Sequence, residues 1–522
     1  MSDSAISSVK QKHEIIQRLT TDRADNNSIT PFSRPDKLPV SFIQEQVIGA
    51  EIAGLYDPDK MRVNCPTLSY LIKGSINIPA LDKALREIVR RHEILRTNYI
   101  VMDKQIFQNI NEVPDTILHV SDLRKLAQND RKSEIERILK DITTCPFSFF
   151  DNKLMITATL IIAGDDENIL TVITNHIATD GFSMMILQQE LFVLYQAFFY
   201  NTPSPLQELP IQYVDFTMWE RQLYSGEFLE KKLDYWRKIP DTINTFLPVD
   251  HAPASQSYVG DTVPVSILPE LLKRLSLLGR SNNVTLFTVL FSVFISLIYA
   301  FSGHKYNFFC IPVANRPRKE TRSVIGCFMN FQFVHVDLDG NPSFIELLER
   351  VNKTLLDVYD NYVPFHFITS VIPPQGPVVD FQLLTAPNLM TRTSDMPSRD
   401  TQSSAIQSSV VQSSVGQSST DVYKSADPPP RNPSAQSASG GLMALPFRLP
   451  QSEFALFPID VALSGNANMI NGCFKYQTAS YDRSTILKLV NDYIVLLTKL
   501  VRNPDMRICD TGIMPHTVAI KN

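Results

Sequence analysis

A mixed α/β fold in two lobes is what this sequence predicts, on three observations. Segments with helical and with strand periodicity are interleaved along the chain. Two apolar runs, over 154–162 and 169–174, are joined by the turn-like Gly164-Asp165-Asp166-Glu167-Asn168 and lead into an amphipathic helix. The length of 522 residues at 44% hydrophobic content is enough to bury two or three domain-sized cores.

Taken in order, the N-terminus is polar and charged with no apolar core segment, so it does not read as a secretory signal. A strand is expected over 67–73 and helices over 78–92 and 131–140. The hairpin at 154–174 follows, rich in β-branched residues, and after it Leu187, Leu191, Leu194, Tyr195 and Phe198 recur at helical spacing over 182–199. Further helices are expected over 229–238, 269–279, 344–359 and 483–501, with strands over 307–312, 331–336, 378–384 and 457–463. The 18 uncharged residues at 284–301 sit at the lower edge of what spans a bilayer. Thr285, Thr288, Ser292 and Ser296 form a small-polar stripe there and no basic cluster flanks it immediately, so a buried core helix is the reading. Residues 391–441 are dominated by Ser, Gln, Pro and Ala, with a five-residue repeat starting at Gln402, Gln407, Gln412 and Gln417. This composition predicts a disordered insertion that interrupts a domain between two strands.

A net charge of −5 and a pI near 6.0 leave no basic footprint for nucleic acid. Cysteines at 65, 145, 310, 327, 473 and 509 lie far apart with no Cys-x-x-Cys pair, which argues against a zinc site and a disulfide framework and fits a reducing cytoplasm.

The segment Asn175-His176-Ile177-Ala178-Thr179-Asp180-Gly181 places one imidazole four residues before an Asp-Gly step, on the loop between a buried strand and a helix. A neutral imidazole there suits a general base that takes a proton from an attacking amine or hydroxyl. The alternative reading is a histidine satisfied by the backbone, with Asp180 capping the next helix. His-x-x-x-Asp-Gly alone does not decide between them.

Six segments in order decide it. Leu38-Pro39-Val40-Ser41-Phe42-Ile43-Gln44-Glu45-Gln46 is the first, Arg91-His92-Glu93-Ile94-Leu95-Arg96-Thr97 the second and the His176 segment the third. Tyr213-Val214-Asp215-Phe216-Thr217-Met218-Trp219, followed by Tyr235-Trp236, is the fourth. Ile325-Gly326-Cys327-Phe328-Met329-Asn330 is the fifth and Val363-Pro364-Phe365 the sixth. In motif, order and spacing the chain resembles the condensation-domain family of nonribosomal peptide synthetases, which shares its fold with chloramphenicol acetyltransferase.

The resemblance implies a two-lobed, α/β pseudo-dimer forming a V, with the catalytic loop at the junction of a central tunnel open at both faces. It implies an extension at 1–37, a first lobe at 38–222 carrying the His-x-x-x-Asp-Gly loop, and a second lobe at 223–522 interrupted by 391–441. His176, Asp180 and Gly181 are then the catalytic residues, and Arg316 stands where the family has an arginine paired with the aspartate. Such a pair fixes the loop carrying His176, so Asp180 reads as orienting rather than proton-transferring. Asn175, Arg91, Arg96, Asn330 and Trp219 are positioning or structural: the arginines by packing and capping, Trp219 in the core. No metal and no bound cofactor are expected. The cofactor involved is the phosphopantetheine arm of a partner acyl or peptidyl carrier protein, and the other partner is a small-molecule or carrier-bound nucleophile.

The expected activity is that of an acyltransferase joining a carrier-bound acyl or aminoacyl thioester to an amine, or in second place a hydroxyl, giving an amide or ester. No adenylation or carrier segment follows Met514, which reads as a free-standing enzyme using carriers in trans. Two departures motivate a rival. Asn175 replaces the first of the family's two histidines, and Pro373-Pro374-Gln375-Gly376-Pro377-Val378-Val379 replaces its Arg-containing seventh motif. The rival is a carrier-docking module without chemistry. A third reading, acyl transfer to a diffusible alcohol as in wax-ester and plant acyltransferases, is disfavoured by the second and fourth motifs. His176 argues against a cyclising relative, which carries Asp there, and Asn330 against an epimerase.

Overall fold

The computed structural model describes residues 28–53, 65–143, 147–151, 153–239, 247–252, 257–305, 308–372, 378–385, 443–447, 455–466 and 468–513. The extension as far as residue 27, the segment 373–377, the insertion at 391–441 and Cys145 lie outside the described residues.

The chain enters through β1 (Leu38–Pro39) and α1 (Phe42–Ile52), whose start is fixed by a capping box in which Ser41 and Gln44 bond each other's backbone amides. After β2 (Thr67–Lys73) comes α2 (Ile78–Arg91), capped by Asn77 with Pro79 in its first turn and Arg90 and Arg91 in its last. Strands β3 (Thr97–Met102) and β4 (Gln105–Ile110) form a hairpin and, with β1, a small sheet in the order β1-β4-β3. Its turn puts Asp103 and Lys104 in the left-handed region, at φ 52° and 62°, and Lys104 gave no turn signal in the sequence.

Then follow β5 (Leu118–Asp122), α3 (Gln128–Thr143), β6 (Ile156–Ile162), β7 (Glu167–Thr174) and α4 (Gly181–Phe199). Strands β6 and β7 are the expected hairpin, closed by the amides of Ala163 and Gly164 on the Glu167 carbonyl. Every residue of β7 after Glu167 is buried, which explains its continuous apolar run. Helices α2 and α4 cover this sheet, and Leu81, Leu85, Ile88, Leu187, Leu191 and Leu194 fill the first core.

Helices α5 (Tyr213–Leu223) and α6 (Gly226–Trp236) lead to a second sheet. It is built from β8 (Gly260–Ile267), β9 (Phe308–Val313), β10 (Asn330–His335), β11 (Val379–Thr385), β13 (Ile459–Gly465) and β14 (Ile470–Gln477), in the order β10-β9-β11-β13-β14-β8. Packed on it are α7 (Pro269–Ser281), α8 (Leu286–Ser302), α9 (Phe344–Asp360) and α11 (Arg483–Arg502). The short α10 (Phe365–Val371) lies beside β10.

Helix α8 is the buried core helix expected from 284–301. Thr285 caps its start, Gly303 ends it at φ 70°, and Val289 to Ile298 are essentially inaccessible. The hydroxyls of Ser292 and Ser296 bond carbonyls four residues back, at 2.7 and 2.9 Å, which satisfies the polar stripe inside the core. Each fully buried Leu, Ile, Val or Phe there contributes about 1.5–3 kcal/mol. No single helix among the described residues is long and apolar enough to cross a membrane.

Three segments pass between the two cores. Strand β12 (Met443–Pro446) follows β11 in sequence yet pairs with β2, extending the first sheet to β12-β2-β7-β6-β5. Phe42 of α1 packs on His366 and Phe367 of α10, at ring distances of 4.8 and 5.0 Å. Ile325 and Phe328 of the fifth motif lie in the first core. Among the described residues both larger sheets are open at their edges.

Asp380 and Asp460 are register partners in the parallel pair β11 and β13. Burial, and after it the Asp460 carboxylate, push the Asp380 carboxyl well above its ordinary range, and burial raises Asp460 as well. A carboxyl raised on folding contributes stability below its unfolded value, and that contribution is lost as pH climbs toward the folded value. Asp380→Asn, which needs no proton, is expected to melt higher than wild type at pH 7–8, with the gap closing near pH 4. Thermal melts across this range check it, and a variant that melts lower throughout contradicts the raised Asp380 carboxyl.

Candidate functional site

The site is built where β7 ends and α4 begins. Residues 175–178 form a tight turn, with the Ala178 amide on the Asn175 carbonyl at 3.0 Å and the Ile177 amide on Asn175 Oδ1 at 2.9 Å. The amide at 175 therefore braces the turn that presents His176. His176 is partly buried, and its Nδ1 lies 4.0 Å from the Cys327 sulfur.

Asp180 ends the turn and caps α4, accepting the Ser183 amide on Oδ1 at 2.7 Å. Its Oδ2 accepts the amides of Phe328 and Met329 at 3.0 and 3.2 Å, and Arg316 Nη2 donates to Oδ1 at 3.2 Å. Both side chains of this ion pair are at most 4% exposed. Arg316 also donates to the carbonyls of Thr321 and Val324 and to Ser183 Oγ, and its guanidinium lies between the rings of Phe328 and Phe182, 3.9 and 4.7 Å from their centroids. Burial lowers the Arg316 pKa and facing Asp180 opposes that. Asp180 thus has both carboxylate oxygens engaged, Oδ2 by the fifth motif and Oδ1 by Ser183 and Arg316.

Gly181 occupies the first position of α4 without a left-handed backbone. A Cβ there would meet Leu384 of β11 at 3.5 Å, an ordinary contact, so its lack of a side chain keeps the helix entrance open rather than relieving strain. Gly326 is different, because a Cβ there would fall 2.0 Å from Cδ2 of Tyr213. Tyr213 needs that approach: its hydroxyl donates to the Cys327 carbonyl at 2.7 Å and meets Ser41 Oγ at 2.9 Å, tying the first, fourth and fifth motifs together.

Arg91 is buried and makes a two-pronged contact with Glu190 of α4 at 3.2 Å, while Nη1 reaches the Gln207 carbonyl. His92 completes the cluster, with Nε2 3.1 Å from Glu190 and Nδ1 accepting the Ile325 amide at 3.1 Å. Burial raises Glu190, but the bonds from His92 and Arg91 outweigh it and hold the carboxyl below its ordinary value. Arg96 donates to the carbonyls of Val89 and Asn111, capping the end of α2. Asn330 Oδ1 accepts the amides of Phe331 and Phe365 at 2.9 and 3.1 Å, joining the fifth motif to the start of α10. Trp219 lies in the first core against Phe216, with the Arg318 guanidinium 5.8 Å from its ring.

His176, Asp180, Gly181, Asn175 and Arg316 therefore come together. Arg91, Arg96, Asn330 and Trp219 hold elements around them without touching the His176 ring. Sequence reasoning missed Ser183, Cys327 and Glu190 as members. Ser183 stands three residues after the Asp180 cap, the position whose amide a cap binds, and Glu190 was a lone charge on the inward face of an apolar helix. Those were the available signals.

Comparison with known proteins follows the same lines. A linear gramicidin synthase of Brevibacillus parabrevis is 36% identical over 342 residues, 65% of this chain and 7% of that protein. Malpinin synthetase of Mortierella alpina is 32% identical over 363 residues, 69% of this chain and 5% of that protein, so the chain spans a small fraction of each. Among solved structures, the X-domain in complex with OxyB from teicoplanin biosynthesis superposes with a TM-score of 0.70 at 19% identity, covering 94% of this chain and 99% of that one. The first condensation domain of the calcium-dependent antibiotic synthetase, in complex with a substrate analogue, gives 0.66 at 14% identity, covering 92% and 100%. At these identities the two structures speak for the shared fold. The condensation-domain family matches residues 35–427, and with the motifs placed as described the chain belongs to the condensation-domain family of nonribosomal peptide synthetases.

Proposed function

We propose that this protein is a condensing acyltransferase that joins an acyl or aminoacyl thioester, carried on the phosphopantetheine arm of a carrier protein, to an amine. The observation that carries this reading is the His176 turn, gripped through Asp180 and Arg316 while the imidazole itself stays partly exposed. In the proposed step the amine nitrogen attacks the thioester carbonyl while His176 takes its proton or holds it in place. The tetrahedral oxyanion is stabilised by backbone amides at the start of α4, near Gly181, where the first turn of a helix has donors without intrahelical acceptors. The C–S bond then breaks, the arm leaves as its thiol with the proton returned to sulfur, and an amide remains. A hydroxyl acceptor gives an ester by the same route.

Incubating loaded donor carriers with a panel of amines and hydroxyls and identifying the products by mass tests this reading. Product that requires the protein supports it, and no product across a broad panel overturns it.

The docking-module reading is motivated by two departures, Asn175 in place of the family's first histidine and the altered seventh motif at 373–379. Asn175 Oδ1 bonds the Ile177 amide within the turn, which is a positioning role that an imidazole is not needed for. Asn175→His is accordingly expected to change turnover by less than about 10-fold, since the histidine that meets the nucleophile is already present. Side-by-side rates for the two proteins check this. A silent wild type that gains turnover with His at 175 would favour a recently silenced docking module.

A further inference from the structure

The fifth motif brings a thiol against the ring proposed to act on the nucleophile, and no role has yet been assigned to it. Cys327 Sγ lies 4.0 Å from His176 Nδ1, within reach of a sulfur hydrogen bond. The backbone around that sulfur is held from both sides. The Gly326 amide and carbonyl both meet Ser183 Oγ, at 3.1 and 2.7 Å, and the Cys327 carbonyl accepts from Tyr213. The next two amides bond Asp180 Oδ2. Cys327 is 5% exposed, so the direction of its side chain is set by the clamp and not by solvent.

We propose that Cys327 is a positioning residue for His176: its sulfur accepts the Nδ1 proton, holding the neutral imidazole in the form whose Nε2 lone pair is free to meet the nucleophile. This rests on the condensing role proposed for His176. The chemistry requires one tautomer. A neutral imidazole can take a proton at Nε2 only if Nδ1 already carries one, and which nitrogen is protonated is set by the bond that the other makes. Among the described residues the Cys327 sulfur is the hydrogen-bond partner of the His176 ring, and it faces Nδ1. Free neutral imidazole side chains in water favour the opposite, Nε2-protonated form, so the sulfur has a preference to overcome.

Burial raises the Cys327 thiol well above its ordinary value, with Asp180 adding to it, so the sulfur stays a neutral thiol. It serves as an acceptor with no ion pair and no thiolate nucleophile. The Asp180 and Arg316 clamp then acts on His176 at one remove. By holding the amides of Phe328 and Met329 it fixes the residue before them, and through that residue the ring.

The test is nitrogen NMR of the full chain labelled with 15N-histidine, with the His176 signals assigned by their loss in His176→Ala. Wild type is expected to show His176 as the Nδ1-protonated tautomer above the pH at which the ring is neutral. Cys327→Ala is expected to move it toward the Nε2-protonated form, with kcat falling about 3- to 30-fold and KM nearly unchanged. Circular dichroism on both variants confirms that they are folded. An Nε2-protonated His176 in wild type, or a tautomer unchanged by Cys327→Ala, overturns the inference whatever the activity. A wild type that shows the expected tautomer and its shift but forms no product overturns the condensing role and leaves the Cys327 contact standing.

Discussion

Replacing His176 with Ala is expected to lower turnover by about 100- to 10,000-fold while the protein stays folded, the range over which a positioned general acid or base contributes. The second half of that expectation comes from the structure. The imidazole is partly exposed and its hydrogen-bond contact is a weak one to the Cys327 sulfur, whereas the turn is braced by Asn175 and its following helix capped by Asp180. Removing the ring therefore takes away little that holds the loop. Steady-state rates together with a melting curve check both halves, and near-normal turnover in a well-folded variant would remove His176 from the mechanism.

Replacing Asp180 with Ala is expected to do the reverse, costing roughly 3–5 kcal/mol of stability as well as activity, because it strands a buried charge. Arg316 would keep a guanidinium that is 4% exposed with no carboxylate facing it, and the amides of Ser183, Phe328 and Met329 would lose their acceptor. The double variant Asp180→Ala with Arg316→Met separates the parts of this cost. Removing the charge along with its partner is expected to recover a portion of the loss, because the unpaired guanidinium and not the missing attraction is the larger penalty. Denaturant unfolding of the single and double variants measures it. A single variant within about 1 kcal/mol of wild type would mean that the clamp does not hold the loop.

The central site could be read from the sequence because its residues sit in local patterns. A strand, a five-residue interval and a capped helix start place His176 and Asp180 together whatever the rest of the chain does. The helices with full amphipathic periods, α2, α9 and α11, were legible within a few residues for the same reason, and α8 by its uncharged apolar run. The partners that complete the site come from far along the chain. Arg316 is 136 residues from Asp180 and was reached through resemblance, and Cys327 is 151 residues from His176 with nothing in its own neighbourhood to mark it.

Some of the elements missed are made by tertiary pairing. Strand β12 has four residues and gains its identity by bonding β2, more than 350 residues earlier, and β14, with Gly472 and alternating polar residues, gives no clear strand signal of its own and is held between β13 and β8. Helix α1 shows almost no preferred apolar face, since Gln44 is buried in its capping box and bonds the Tyr99 hydroxyl. Its periodicity did not show that it was there, and its capping box became visible only in the structure.

The most direct measurement of the central claim is a single-turnover transfer followed by intact mass. Donor carrier loaded with a labelled aminoacyl group and acceptor carrier loaded with an amine are mixed with wild type or with His176→Ala at equal concentration. The condensing role predicts that label moves onto the acceptor carrier as an amide with wild type and that this transfer is lost with His176→Ala, both proteins being folded. Transfer at equal rates with the two proteins would contradict the role of His176. Binding of both carriers by wild type with no transfer, across a broad panel of donors and acceptors, would contradict the proposal that the site condenses them.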